Sequence, residues 1–382
     1  MQLKLKMKNL HTADFDLQIR AKGLLLAALY WGNEKGQLLG WSSIGYVLID
    51  PSGSGSFHFS GNRSVPEGVT RLYAKGITPD FETIEEAYAD IPLEYQAVPL
   101  AESPAAAFTV MSDIHLSGKP WAARQALHNA KQDVILIPGD LTNDGFTEQF
   151  QLFEEAIACA APEKLILSVT GNHDQLRIPC EDLDGYAAFQ ERLLHRAENM
   201  GCCVEYGPDG AYAATVNGVG VIGLQCVGEC RRFSMSKAQL AWLEEHLYYS
   251  DGWHIILCHA PLLAHNPHRN DGAPYFGRAE ALQRIVNAHG NSILISGHTH
   301  TSPNMLRNTV EYDAANKVIY IDDGSVVPTE LRGEALMPKE WKDGVITDVE
   351  LFKDYIRIAS ESAASGVRFP RGYYTIALQH KT

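Results

Sequence analysis

Five short clusters of polar residues in this 382-residue chain carry side-chain types that proteins use to bind metal ions. Each cluster follows an apolar run that has the composition of a β-strand. The five clusters are Asp113-Ile114-His115, Gly139-Asp140, Gly171-Asn172-His173-Asp174, Cys258-His259 and Gly297-His298-Thr299-His300. Imidazole, carboxylate and amide oxygen together suit borderline or hard divalent cations such as zinc, manganese, iron or cobalt. The residue types therefore predict a metal site without a thiolate ligand.

The spacing within the clusters predicts that two cations bind side by side. In extended backbone, residues two positions apart project to the same side, so Asp113 and His115 can face one cavity. His298 and His300 have the same spacing. A carboxylate such as Asp140 can bridge two cations, with one oxygen on each. Three clusters begin with glycine, which allows a turn or a close approach that a side chain would block.

Each cluster taken alone also has a purely structural interpretation. Asp113 and His115 could lie in a solvated loop, and His259 after a buried strand could be a core or capping histidine. The Gly-Asn-His-Asp cluster is moderately specific for a metal site, and Gly-His-x-His at a strand end is more specific. All five clusters in this order, each at a strand end, favour one shared metal site over five unrelated loops.

The elements that must position these clusters form an alternating pattern from residue 107 onward. Apolar strand-like runs alternate with helix candidates, which is typical of an α/β protein. The runs are residues 108–111, 134–137, 165–169, 219–224, 255–258, 293–295 and 318–321. Two helix candidates have recognisable ends, a capping box that starts at Ser236 and a glycine stop at Gly290. Sites in such sheets gather outside the carboxyl ends of strands, so we expect the five clusters to converge.

The first hundred residues have a different pattern. Short β-prone runs at residues 24–31, 45–49, 56–60 and 69–77 are separated by turn-forming residues, which predicts a small antiparallel β-sandwich. Residues 82–94 are acidic and ambiguous, and residues 99–104 have the composition of a linker. We therefore predict an accessory domain over residues 1–100 and a second domain over residues 105–382 that carries the clusters. Three late runs, at 349–352, 355–358 and 373–378, are expected to extend its sheets.

The composition excludes several classes of partner. The chain has 32 Lys and Arg against 46 Asp and Glu, which gives a formal net charge of −14. Nucleic acids and anionic membranes are bound through clustered Lys and Arg, so we expect neither partner. No signal-peptide pattern and no membrane-spanning apolar run is visible. Seven scattered cysteines fit free thiols, which predicts a cytoplasmic protein, and the sequence leaves a monomer or a homo-oligomer open.

The five clusters in this order resemble the signature of the calcineurin-like metallophosphoesterases. The resemblance covers about residues 107–330 and does not extend to the N-terminal domain. It implies an α/β (α+β) four-layer fold, with two mixed β-sheets packed face to face and flanked by helices. It also implies two metal ions, with manganese, iron or zinc as the expected identities. By position, one ion would be held by Asp113, His115, Asp140 and His300, and the other by Asp140, Asn172, His259 and His298.

The resemblance implies a phosphoester hydrolase in which a hydroxide bridging the two ions attacks phosphorus in line. Two neighbouring cations can clamp the phosphoryl oxygens and lower the pKa of a bridging water, so no covalent phosphoenzyme is expected. His173 is not a ligand in the family, and the resemblance places it near the leaving-group oxygen as a general acid or a transition-state donor. Asp174 could orient His173 or cap the segment that follows, and both interpretations stay open.

The chain departs from the protein phosphatase branch of the family, whose second motif continues into Asp-Arg-Gly and whose third usually ends in Glu. Here those positions hold Asn143-Asp144-Gly145 and Asp174. The small-molecule branch fits better, which predicts a phosphodiesterase for a small phosphodiester such as a cyclic nucleotide or a glycerophosphodiester. Residues 264–270 and Arg371 are candidate substrate contacts.

Three alternative functions stay open at this stage. A phosphomonoesterase or a nucleotide pyrophosphatase would use the same ligand set. A non-catalytic interaction protein could also be built on this scaffold, with the N-terminal sandwich as its binding module. Loss of several ligands would favour that last alternative, and every ligand that the family signature requires is present in this chain.

Overall fold

The structure is a computed structural model that describes residues 1–8, 13–38, 43–59, 65–66, 68–92, 95, 103–118, 120–175, 185–229, 232–248, 252–262, 276–303, 309–327, 344–366 and 368–378. The chain divides into two compact units. One unit comprises Met1–Ser103, Phe352–Ile358 and Phe369–Thr382, and the other comprises Pro104–Leu351 and Ala359–Arg368. Residues 352–358 and 369–382 are thus counted with the first unit, and the predicted division into residues 1–100 and 105–382 stays a prediction.

The N-terminal residues form two antiparallel sheets, with strand orders β1-β2-β5 and β4-β3-β6-β7. The strands are β1 Gln2–Met7, β2 Phe15–Arg20, β3 Leu26–Gly32, β4 Gly45–Leu48, β5 Ser54–Phe59, β6 Arg71–Ile77 and β7 Thr83–Asp90. Apolar residues from both sheets share one core, which Phe15, Leu17 and Ile19 enter from alternate positions of β2. This period of two buries one face of the strand. The predicted antiparallel sheets are therefore present, and the ambiguous acidic segment contains β7.

A six-stranded mixed sheet has the strand order β10-β9-β8-β21-β22-β23, so the late strand-like runs of the sequence extend this sheet as predicted. These strands are β8 Ala106–Val110, β9 Val134–Ile137, β10 Leu165–Ser168, β21 Val345–Leu351, β22 Tyr355–Ser362 and β23 Arg368–Ala377. Strands β8, β9 and β10 are parallel, and β21 runs antiparallel to β8. Helices α1 Trp121–Asn129, α2 Thr147–Ala160 and α3 Gly185–Asn199 pack on this sheet through a core that contains Ile135, Phe150 and Phe189.

A seven-stranded mixed sheet has the strand order β11-β12-β13-β16-β18-β20-β19. Its strands are β11 Cys203–Tyr206, β12 Tyr212–Val216, β13 Val219–Gly223, β16 His254–Leu257, β18 Ser292–Ser296, β19 Val310–Asp313 and β20 Val318–Asp322. Helices α4 Lys237–Tyr248 and α5 Ala279–His289 cover it. A small sheet consists of β14 Val227–Glu229, β15 Arg232–Ser234 and β17 Phe276–Gly277. Two helix-covered mixed sheets are the architecture that the sequence predicts.

Local sequence signals set the start of α4 and the end of α5, the two helices on the seven-stranded sheet. The Ser236 hydroxyl accepts a hydrogen bond from the Gln239 amide at 3.0 Å, which is the N-cap half of the predicted capping box at the start of α4. The Gln239 side chain pairs with the backbone of Gln225 instead of the Ser236 amide. Helix α5 ends at Gly290, whose φ of 66° favours glycine. None of the helices in the part of the chain that the structure describes is long and apolar enough to cross a membrane.

Candidate metal centre

The predicted ligand residues lie at the carboxyl ends of five strands. Strands β8, β9 and β10 lead into Asp113, Asp140 and Asn172, and strands β16 and β18 lead into His259 and His298. Backbone hydrogen bonds hold the first two loops together, because the Asp140 carbonyl accepts from the amides of Ile114 and His115 at 2.8 and 3.1 Å. The two sheets thus bring clusters that are far apart in sequence to one place.

The first group of donor atoms consists of Asp113, His115, Asp140 and His300. Its ligand atoms all lie within 4.8 Å of one another, which is close enough to surround one ion. The Nε2 atoms of His115 and His300 are 3.2 Å apart, and His300 Nε2 is 2.9 Å from Asp113 Oδ1. The other oxygen of Asp113 accepts from the Ser112 hydroxyl and the His298 amide, so Oδ1 is directed at the group.

The second group consists of Asp140, His259 and His298, and Asn172 lies beside it. The side-chain oxygen of Asn172 is 3.2 Å from His259 Nε2 and 3.0 Å from His298 Nδ1. The Nδ1 of His259 is 2.8 Å from the Pro138 carbonyl, so Nδ1 can donate to that carbonyl while Nε2 faces the group. A backbone acceptor behind a histidine is the usual arrangement at metal sites. All seven predicted ligand residues are therefore assembled around two adjoining positions.

Asp140 belongs to both groups, and one of its oxygens faces both. Oδ2 lies 3.9 Å from His115 Nε2 and 3.3 Å from His259 Nε2. Oδ1 instead accepts a hydrogen bond from the His173 amide at 2.7 Å. Oδ2 is thus the oxygen that faces both groups, and the expectation that each carboxylate oxygen faces one cation stays a prediction.

Burial and charge fix the ionisation of this cluster. Burial works to raise the pKa of Asp113, but the imidazoles of His300, His259 and His115 outweigh it and hold that pKa well below its usual range. Burial likewise opposes ionisation of Asp140, and His259 brings its pKa down to about 2. For His259, burial works to lower the pKa, but the two carboxylates raise it to about 10. Both carboxylates are thus anionic, as metal ligands must be.

The backbone around the ligands is strained. Asp113, His115, Asp140, His298 and His300 all have positive φ, between 46° and 69°. Non-glycine residues rarely adopt this conformation, and such residues concentrate at functional sites. The neighbouring glycines let the loops approach each other closely. A Cβ on Gly139 would lie 2.7 Å from His259 Nδ1, and one on Gly171 would overlap Asp140. The predicted close approach at these glycines is present.

His173 lies next to the first group of donors without belonging to it. Its ring meets that of His115 edge to face, with centroids 4.5 Å apart. Its Nδ1 is 2.8 Å from the carbonyl oxygen of Asn143. When Nδ1 donates to this carbonyl, the orientation of the ring is fixed, and Nε2 is the atom that can exchange a proton with a substrate. The position of His173 therefore suits the general-acid role predicted for it, which stays a prediction.

Asp174 joins two loops, which is a different role from either one considered in the sequence. Its carboxylate accepts from the amides of Gly171, Leu141 and Thr142 and from the Thr142 hydroxyl, at 2.9 to 3.3 Å. Burial, with a smaller contribution from Asp140, raises the pKa of Asp174 to about 6. These contacts tie the Asn172 loop to the Asp140 loop. The carbonyl of Asn143, rather than the carboxylate of Asp174, meets Nδ1 of His173.

Sequence reasoning missed a buried contact behind the two histidines of the last cluster. The hydroxyl of Thr299, which lies between them, donates to the carboxylate of Asp322, with oxygens 2.6 and 2.7 Å away. The same hydroxyl accepts from the Thr301 amide at 3.2 Å. Asp322 is the last residue of β20, so the strand-end signal that identified the other clusters could have identified it.

The donor set fits divalent cations. Within the described residues, the two groups present carboxylate oxygens and imidazole nitrogens at mutual distances that only a shared cation or proton would stabilise, and thiolate is absent from both groups. The candidate substrate residues 264–270 lie outside the described residues, and Arg371 lies in β23. The seven predicted ligand residues are thus all in described segments.

Comparisons with known proteins agree with the site. A family model described as calcineurin-like phosphoesterase matches residues 106–302, just over half of the chain. A probable glycerophosphodiester phosphodiesterase GpdQ of Arcobacter nitrofigilis is 22% identical over 218 residues, which cover 52% of this chain and 74% of that protein.

Two solved structures also align, with low scores. A conserved Streptococcus pneumoniae protein described as a predicted phosphoesterase gives a TM-score of 0.33 at 14% identity, over 71% of this chain and 97% of that chain. Phosphopantetheinyl hydrolase (PptH) of Mycobacterium tuberculosis gives 0.35 at 15% identity, over 61% and 93%. These scores carry no weight in the assignment. The match over residues 106–302, which contains all seven predicted ligand residues, shows that the chain belongs to the calcineurin-like phosphoesterase family of metal-dependent phosphoester hydrolases.

Proposed function

We propose that the protein is a phosphodiesterase that binds two divalent metal ions and hydrolyses a small phosphodiester. The observation that supports this most is that Asp140 belongs to both donor groups, so that one buried carboxylate serves two adjoining positions. Two-metal hydrolases use such a shared anion to hold two cations close to each other. Asp113, His115 and His300 complete the first position, and Asn172, His259 and His298 complete the second.

The residues of the chain suggest how the reaction is divided. Bound divalent cations would supply Lewis acidity and a water acidified to react near neutral pH. Asp113 and Asp140 provide the anionic charge that retains the cations. His173, fixed through Nδ1 by the Asn143 carbonyl, is placed to donate a proton from Nε2 to the departing oxygen. No residue of the chain needs to form a bond to phosphorus, so inversion at phosphorus is expected.

The substrate class rests on two observations. The second motif has Asn143-Asp144-Gly145, without the arginine of the protein phosphatase branch. The matched relative from Arcobacter nitrofigilis is a probable glycerophosphodiester phosphodiesterase. We therefore propose a small phosphodiester, a cyclic nucleotide or a glycerophosphodiester, with manganese, iron or zinc as the metal. Phosphomonoesterase and pyrophosphatase activities are the alternatives, and the cytoplasmic location stays a prediction.

The test is metal-dependent turnover of a diester beside its monoester. We expect the metal-loaded protein to hydrolyse bis(p-nitrophenyl) phosphate faster than p-nitrophenyl phosphate, to lose activity after chelation and to regain it with manganese. For variants that remove a histidine of the cluster, the matched control is His195→Ala. His195 is an exposed histidine on α3, so this change removes an imidazole outside the cluster. A preference for the monoester would favour the alternative activity. A protein that binds metal and turns over no ester would support the non-catalytic alternative.

A further inference from the structure

A small pocket adjoins the candidate metal centre. It has a volume of about 320 Å³, and His115, a member of the first donor group, is one of its lining residues together with Ser117 and Gly118. The other lining residues have apolar side chains and are Ile114, Leu116, Trp121, Ala122, Ala123 and Val327. No Asp, Glu, Lys or Arg is among the described residues that line it. The pocket is thus suited to an uncharged group that is joined to a charged phosphate at the metal centre.

The floor of this pocket is rigid. Ile114, Leu116 and Ala123 are almost completely buried and belong to the core beneath the six-stranded sheet's helices. The Leu116 carbonyl accepts a hydrogen bond from the Asn143 amide at 3.1 Å, and the Asn143 carbonyl holds His173. The pocket wall and the predicted proton donor are therefore positioned by the same residue, which fixes the pocket relative to the site of bond cleavage.

Trp121 is the one large exposed side chain among the described lining residues. It is the first residue of α1, follows Pro120, and is 57% exposed. Its flat indole is a good surface for stacking a second ring, such as a nucleobase.

We propose that this pocket binds one ester substituent of the substrate and that the occupant is a flat ring, an aryl group or a nucleobase, which stacks on Trp121. The proposal rests on the proposed function, because it gives the substrate class of the same site. A flat ring gains contact with the exposed indole and the apolar side chains that a slender glycerol cannot match, and a charged head group finds no charged partner among the described lining residues. The pocket therefore selects a ring-bearing phosphodiester over a glycerophosphodiester.

Binding of phosphonates tests the pocket without requiring turnover. The probes are phenylphosphonate, an acyclic adenine nucleoside phosphonate and ringless methylphosphonate, each titrated calorimetrically into the metal-loaded protein. We expect at least one ring phosphonate to bind about tenfold more tightly than methylphosphonate, a factor that corresponds to about 1.4 kcal/mol. The better of the two ring probes identifies an aryl group or a nucleobase as the natural occupant.

The variants assign the preference to Trp121. Trp121→Ala should abolish the ring preference without changing methylphosphonate binding, and Trp121→Phe should keep most of it. Tyr248→Ala is the matched control, because Tyr248 is an exposed aromatic residue, 81% exposed, at the end of α4. For bis(p-nitrophenyl) phosphate, Trp121→Ala should raise KM about tenfold with kcat within about twofold.

The outcomes separate the pocket from the proposed function. The proposed ring binding would be refuted if ring and ringless phosphonates bound equally, or if the ring preference survived Trp121→Ala. Either result would refute it even if the protein hydrolyses diesters. A ring preference that depends on Trp121 in a protein without metal-dependent turnover would leave the pocket standing and overturn the phosphodiesterase assignment.

Discussion

Asp140 and His259 form a buried ion pair within the second donor group. Asp140 Oδ2 lies 3.3 Å from His259 Nε2, and both side chains are withdrawn from solvent. A protonated imidazole stabilises the carboxylate when no cation is bound, which is why the pKa of His259 is raised to about 10 despite burial. A metal ion would replace that proton, since only the neutral imidazole is a ligand.

Metal binding is therefore expected to release protons. Because the pKa of His259 is raised above its ordinary value, its pairing with Asp140 stabilises the metal-free protein below about pH 6.5 and is lost as pH rises through about 10. Metal affinity should rise with pH across this window. Calorimetry at about pH 8 in two buffers of different ionisation enthalpy should report release of about one proton from His259. If metal binding released no proton, or if the number of protons released were the same in His259→Gln, this prediction would be contradicted.

For His173→Ala we expect metal content to be retained and the rate to fall by about 10²–10⁴, the usual contribution of a general acid. The ring holds its position through Asn143 and lies beside, not within, the donor groups. The loss should be smaller for substrates with p-nitrophenolate as the leaving group, because a weak base needs little protonation. Kinetics with two leaving groups and metal analysis measure both effects. Loss of metal would make His173 a ligand instead.

The residue types of the site could be predicted from sequence, whereas their atomic roles could not. Asp113, Asp140 and the histidines are identified by type and by position after apolar runs. That Asp140 presents a single oxygen depends on the His173 amide, and that Asp174 joins two loops depends on three amides. Such contacts depend on backbone geometry, which residue spacing does not determine.

At the scale of the elements, the loops that follow the strands can pack against each other only because glycine lies where they come closest. A Cβ at Gly171 would overlap the backbone nitrogen and the carboxylate of Asp140. Gly171→Ala should therefore displace Asp140 and lower metal occupancy to below half, measured by metal analysis of the purified protein. Gly252→Ala is the control, since a Cβ there meets nothing within 4 Å. Wild-type metal content in Gly171→Ala would show that the loops adjust.

The last cluster is expected to depend on the contact between Thr299 and Asp322. The Thr299 hydroxyl holds a loop in which both neighbouring histidines have positive φ. Thr299→Val removes the hydroxyl at nearly constant volume and leaves the Asp322 carboxylate without this donor. Metal affinity should fall about 10–100-fold, as is typical when a residue that supports a ligand is lost.

Titration of the metal-free protein with manganese measures this effect, and Thr299→Ser should restore most of the affinity because the serine hydroxyl can donate to the same carboxylate. A fall in affinity that serine does not restore would point to a packing effect of the methyl group. Equal manganese affinity in Thr299→Val and the wild type would show that the Thr299 hydroxyl does not position the ligands.

Secondary structure was predictable where the signals are local. The N-cap at Ser236 and the glycine at Gly290 bound α4 and α5 as expected, and the apolar runs of the central strands agree closely with β9, β16 and β18. Strands β1 and β2 were not assigned, although their charged and apolar residues alternate. The ambiguity of β7 has a physical cause: its exposed and half-buried residues alternate without a continuous apolar face.

At the scale of the whole molecule, the late strand-like runs extend the six-stranded sheet as predicted, whereas their grouping into a compact unit is not determined by their sequence. Residues 352–358 and 369–382 have ordinary strand patterns, and nothing in their sequence indicates which unit they join. The family match, by contrast, ends at residue 302 and lies entirely within the second unit. The candidate metal centre also lies wholly within that unit, so its chemistry can be tested on the intact chain without assigning a role to the other unit.

The central claim is that two metal ions share Asp140. The most direct measurement is anomalous diffraction from a crystal of the full-length protein loaded with manganese, with Asp140→Ala prepared in the same way. The account predicts two anomalous peaks in the wild type, one beside Asp113, His115 and His300 and one beside Asn172, His259 and His298. Oδ2 of Asp140 should lie between the peaks, and the variant should lose at least one of them. A single peak in the wild type, or two peaks that persist at full occupancy in Asp140→Ala, would contradict it.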